Sequence, residues 1–200
     1  MRSLFRPGPG YVWVDFYDPS GARPSKKVDL ILNRGVAQSR LTGDTDTDGK
    51  TEIWPSLLER AYATLIGGDS EMAGWRRLAE SMSVDNVWSA LTGRTTRTLD
   101  VATTNPATLL TELQTALTGR QKVVLATYTR ADKEPWIETG VPLYPYHAYV
   151  LQSIEGGTAV LYNPWGNIER VGGAEVRWPL SRFPEVFRSI FKALREHVIK

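Results

Sequence analysis

His147 and Asn163 occupy corresponding ends of two runs of strand-forming residues, an arrangement suited to acid–base work. Residues 147–154 and 158–162 are rich in aliphatic, β-branched and aromatic side chains, and Glu155-Gly156-Gly157 between them reads as a tight hairpin turn. In such a hairpin, a residue opening the first strand and one closing the second fall at the same end and can meet side by side. An imidazole held by a side-chain amide suits a thiol nucleophile: the ring takes the thiol proton, and the amide on its other nitrogen fixes orientation and tautomer. Trp165, two residues past Asn163, is placed to shield that bond with an apolar indole. The thiol is missing, because the chain contains no cysteine. Ser56, Ser153 and Ser181 have no local pattern that would supply a base or an oxyanion hole, so none is read as a substitute nucleophile.

A second cluster invites metal chemistry. Asp44, Asp46 and Asp48 alternate ahead of Gly49, as the first half of an EF-hand loop does, with Glu52 following. The match then breaks: position eight of such a loop is Thr51 and position twelve is Pro55, where a bidentate glutamate belongs. Calcium held by Asp44, Asp46, Asp48 and Glu52, in a calcium-responsive interaction protein, is set against a solvated acidic loop. No other cofactor is suggested.

Composition bounds the remaining classes. The 24 basic and 22 acidic residues leave a formal charge of +2, too balanced for a nucleic-acid or anionic-membrane footprint. Without cysteine there are no disulfides and no thiolate metal sites. No window approaches the length of apolar sequence that spans a bilayer, and the N-terminus has no signal-type stretch, so the expectation is a soluble, cytoplasmic protein.

The elements that must position His147 and Asn163 read as α+β. Residues 11–17 and 27–32 alternate like the strands of an early hairpin, followed by a polar loop over 41–52. Three helices are expected over 53–65, 71–81 and 84–91, with Ser70 and Ser83 as caps and Gly93 as a stop. Asn105-Pro106 opens a fourth helix, closed by Gly119. Strands are expected over 122–129, 147–154, 158–162 and 176–180, then a helical turn over 181–187 and a C-terminal helix over 190–197, with His197 on the surface. The polar stretch 95–104 suggests a division into a helical part, 1–98, and an antiparallel sheet or barrel with a C-terminal helix, 99–200.

At three places in order, the chain resembles the calpain family of papain-fold cysteine peptidases. His147-Ala148-Tyr149 and Asn163-Pro164-Trp165-Gly166 are similar to that family's Gly-His-Ala-Tyr and Asn-Pro-Trp-Gly segments, with Tyr146 in place of the usual glycine. The run from Trp54 to Ala63 resembles its Trp-x-x-Leu-Leu-Glu-Lys-Ala-Tyr-Ala helix, and Leu91-Thr92-Gly93 its Thr-Gly-Gly segment. A lone strand-end histidine, or an asparagine before proline, is by default structural; the ordered motifs tip both toward descent from catalytic residues. The resemblance implies a papain-like fold, with His147 as base, Asn163 orienting it and Trp165 covering the pair.

It also implies a cysteine, preceded by an oxyanion-hole glutamine, on a long central helix ahead of the first strand pair. The ten residues before Tyr11 have no room for that helix. The expectation is therefore a calpain-like endopeptidase module inactive as an isolated chain, acting on protein or peptide once a complementing segment restores the thiol. The alternative is a pseudopeptidase that binds a partner chain or a second copy of itself.

Overall fold

The computed structural model describes residues 4–18, 22, 24–29, 54–68, 70–79, 83–127, 143–145, 147–164 and 174–193, without the side chains of Pro55, Ser56 and Ala193. The chain divides into two compact units, Met1–Thr95 and Thr96–Lys200. Each combines helices with a wholly antiparallel sheet, so the class is α+β. Among the described residues, no helix is long and apolar enough to cross a membrane.

In the first unit, strands β1 (Phe5–Gly8), β2 (Tyr11–Asp15) and β3 (Ser25–Asp29) form a sheet in that order. Alternation along β2 sends Val12 and Val14 to the buried face, where they meet Val28 of β3 and Phe16 just beyond β2. The expected hairpin is the β2–β3 pair; β1 is an addition to it. Its Phe5-Arg-Pro-Gly8 sequence includes a proline, which is tolerated on an edge strand. Gly8 also leaves room for the ring of Tyr11 opposite, which would lie 2.3 Å from an added Cβ.

Three helices complete this unit: α1 (Trp54–Gly67), α2 (Glu71–Ala79) and α3 (Val84–Thr92). Leu57, Ala61 and Tyr62 of α1 join the strand valines in one core. The Ser70 hydroxyl caps α2 by accepting from the Ala73 N–H at 3.3 Å, whereas Ser83 begins α3 without a side-chain cap bond. Gly93 ends α3 in the left-handed conformation that glycine adopts at little cost (φ 68°), its N–H donating to the Ser89 carbonyl at 2.8 Å.

The second unit is a six-stranded sheet in the order β4 (Thr96–Asp100), β9 (Phe187–Ala193), β5 (Val123–Thr127), β6 (Ala148–Glu155), β7 (Thr158–Tyr162), β8 (Glu175–Pro179). Helix α4 (Pro106–Thr118) covers it with Leu109, Leu113 and Ala116, residues three and four apart that share one face. Asn105 caps α4, its side chain accepting from the Ala107 N–H at 2.9 Å. A 3₁₀ turn (Leu180–Arg182) and the short helix α5 (Phe183–Val186) lead from β8 into β9, as expected for a helical turn.

Two expectations are corrected here. Residues 190–193, read as the start of a C-terminal helix, belong to β9, and 194–197 lie outside the described residues. The helical spacing of Ile190 is outweighed because β9 fills the place between β4 and β5 and satisfies the backbone of both. Lys192 is buried on this interior strand because its ammonium bonds to the Glu112 carboxylate of α4. Second, the boundary drawn at 98/99 cuts through β4, whose pairing with β9 assigns Thr96–Asp100 entirely to the second unit.

Gly74 of α2 lies directly against α1, where an added Cβ would stand 1.8 Å from the Ala63 carbonyl oxygen. The favourable helix propensity of alanine, up to about 1 kcal/mol over glycine, cannot offset a clash with rigid backbone. Gly74→Ala is expected to destabilise the protein by about 1 to 3 kcal/mol, read as a lower midpoint of urea unfolding. An unchanged midpoint would mean that α1 and α2 are not this close.

Candidate active site

Asn163 comes to His147 through an irregularity in the β6–β7 hairpin. Next to the Gly156-Gly157 turn, Glu155 pairs with Thr158, Ile154 with Ala159 and Ser153 with Val160. Farther on, Leu151 pairs with Leu161 and Val150 with Tyr162, so β6 carries one extra residue, the exposed Gln152. Extended one step, this second register sets Asn163 opposite Tyr149, on the face that His147 shares two residues earlier. Had the first register continued, Asn163 would stand opposite Val150 and point to the other face. The bulge at Gln152 therefore decides whether the two side chains can meet.

They do meet. His147 Nε2 lies 3.0 Å from Asn163 Oδ1. An amide oxygen only accepts, so Nε2 carries the proton and Nδ1 is the basic nitrogen of the neutral ring. Asn163 is fully buried, and its backbone N–H donates to the Ala174 carbonyl at 2.8 Å. The half-buried imidazole meets the Tyr149 ring edge to face, with centroids 4.9 Å apart. Burial lowers the His147 pKa, and the bond to Asn163 opposes that effect only in part, so the ring is neutral near pH 7.

Two further residues hold the backbone here. Thr127, at the end of β5, donates its backbone N–H to the His147 carbonyl at 2.9 Å and accepts the His147 N–H on its hydroxyl at 2.8 Å. The same hydroxyl faces the carbonyl oxygens of Tyr144 at 2.9 Å and His147 at 3.1 Å. Tyr149 accepts the Tyr144 N–H on its own hydroxyl at 2.8 Å, and burial pushes that hydroxyl up to about 12, keeping it protonated. Thr127 lies within the run 122–129 that reads as a strand, but nothing short of the β5–β6 register reveals that it faces His147.

A family model described as calpain family cysteine protease matches residues 35–179, well over half of the chain. The chain belongs to the calpain family. Its similarity to Calpain-13 of Rattus norvegicus amounts to 32% identity over 142 residues, 65% of this chain and 20% of that protein. The chain thus spans about a fifth of the length of the curated relative it matches.

The family match covers His147, Asn163 and Trp165, in a calpain-family chain with no cysteine. Trp165 lies outside the described residues, as do Asp44, Asp46, Asp48 and Glu52 of the acidic loop. Of the serines considered as nucleophiles, Ser153 bonds to Glu155 at 3.0 Å near the opposite end of β6 from His147, and Ser181 is exposed in the 3₁₀ turn. The side chain of Ser56, in α1, is among those not described.

Because the folded chain resists protonating His147, the unfolded chain binds more protons once the pH falls toward the ordinary histidine value of about 6.5. Stability contributed by the neutral ring is present above that value and is lost as pH falls through the lower, folded-state pKa. The urea midpoint is expected to drop between about pH 7.5 and about pH 5, and His147→Gln should flatten the part of the slope due to this ring. An identical slope in the variant would show that His147 titrates normally.

Proposed function

We propose that the second unit carries the base half of a calpain-type thiol-peptidase site within a papain-like fold, and that hydrolysis requires a thiol from another segment or chain. The observation that carries this reading is the 3.0 Å contact between His147 Nε2 and Asn163 Oδ1, which leaves a neutral ring with its basic nitrogen at Nδ1. In the reaction, Nδ1 takes the thiol proton as sulfur attacks the peptide carbonyl carbon, then delivers that proton to the departing amine. Water resolves the acyl-enzyme with His147 again as base. Asn163 accepts from Nε2–H throughout, keeping the ring turned and the imidazolium hydrogen-bonded. Trp165 is assigned the cover over that bond.

Adding a calpain-type segment that carries Gly-x-Cys-Trp should produce hydrolysis of an unstructured protein substrate. His147→Ala should reduce that rate by roughly 10² to 10⁴, the usual worth of a positioned general base. Hydrolysis that survives the substitution would remove His147 from the reaction.

The absence of cysteine throughout the chain supports a second reading, a pseudopeptidase that binds a partner chain or a second copy of itself. Among the described residues, two large apolar side chains of the first unit are exposed, Trp54 at 49% and Met72 at 63%. Light scattering should then report a species larger than the monomer at micromolar concentration. A strictly monomeric, folded chain would count against self-association.

A further inference from the structure

Among the described residues, three polar or charged side chains besides the aromatic ones are buried: Thr127, Asn163 and Lys192. Asn163 holds the imidazole, and Lys192 is neutralised by Glu112. Thr127 belongs to neither arrangement, and burying a hydroxyl is costly unless its hydrogen bonds are made. Its bonds all go to one place, the chain from Tyr144 to His147.

The geometry is that of a strand ladder closed by a side chain. Along β5 and β6, Val124 pairs with Val150, Leu125 with Tyr149 and Ala126 with Ala148, so the next rung sets Thr127 opposite His147. One bond of that rung is ordinary, from the Thr127 N–H to the His147 carbonyl. The other is not: the His147 N–H goes to the Thr127 hydroxyl. With its acceptor role filled by His147 N–H, the hydroxyl hydrogen can be given to Tyr144, three residues back. The incoming chain is thus fixed at two points where it enters β6, immediately before the imidazole.

We propose that Thr127 is a positioning residue for His147, its hydroxyl setting the backbone from which the imidazole reaches Asn163. The inference rests on the reading of His147 as the base. Valine has the shape of threonine but neither donates nor accepts, so Thr127→Val would leave the His147 N–H without that acceptor. Serine keeps the hydroxyl.

The test is imidazole ¹⁵N NMR on the full chain, which needs no thiol and no turnover. In the unsubstituted protein, His147 should show the Nε2–H tautomer and a pKa below about 6.5, with the Nε2 proton slow to exchange. Thr127→Ser should keep all three properties. Thr127→Val should give mixed tautomers, a pKa nearer to about 6.5 and loss of the slow Nε2 proton, with the circular dichroism of a folded chain. A folded Thr127→Val protein with an unaltered His147 spectrum would overturn the role of Thr127 while leaving that of His147 standing. Absence of the Nε2–H tautomer in the unsubstituted protein would overturn both. Should the valine variant fail to fold, hydrogen exchange on the unsubstituted chain decides: the His147 amide must be protected like those of β6, and exchange at an open-chain rate would overturn the proposal.

Discussion

The register of the β6–β7 hairpin is the constraint on which the candidate site depends. Side chains along a strand alternate between faces with a period of two, so one residue of extra length in β6 separates a paired His147 and Asn163 from a pair on opposite sides of the sheet. Gln152 supplies that residue at an exposed position, where it displaces no core side chain. It also lets Ile154 and Leu151, three apart on one strand, both face the core on which α4 packs. Core packing and site geometry therefore favour the same register.

Around this hairpin the fold supplies rigidity more than chemistry. Tyr149 lies opposite Leu125 on β5, is fully buried, and presents its ring to both His147 and Phe187 of β9. A ring fixed on that many sides has few alternatives, and the imidazole above it inherits the restriction. Thr127 and the Tyr149 hydroxyl add bonds to the incoming chain, so His147 and Asn163 are both held by neighbours within the second unit.

Much of this was legible in the sequence, and the exceptions have physical causes. Helices could be read from local signals, the apolar spacing along α1 and the Asn105 cap and Gly119 stop that bracket α4. The β6–β7 turn was readable from Gly156 and Gly157, both at positive φ. The meeting of His147 and Asn163 was foreseen, but the bulge that permits it was not, because Gln152 differs from its neighbours only in what lies across from it. β1 was hidden by Pro7 and Gly8, and β4 by a polar stretch that resembles a linker. Residues 190–193 of β9 read as helix because the strand's character comes from partners far away in the sequence. Thr127 is silent in the sequence for the same reason: its contacts exist only across a ladder.

The placement of β9 has a consequence for how the second unit assembles. β4 pairs, among the described strands, with β9 alone, and its residues 96–100 must wait for 189–193, some of the most distant partners in the chain. Helix α4 and the β6–β7–β8 meander can form from nearby residues, whereas joining β4 to β5 requires closing a loop that contains nearly the whole unit. Assembly should thus be gated by the arrival of one late strand. Until it docks, β5, the strand that carries Thr127, presents a bare backbone edge, and the two sides of the sheet are separate pieces.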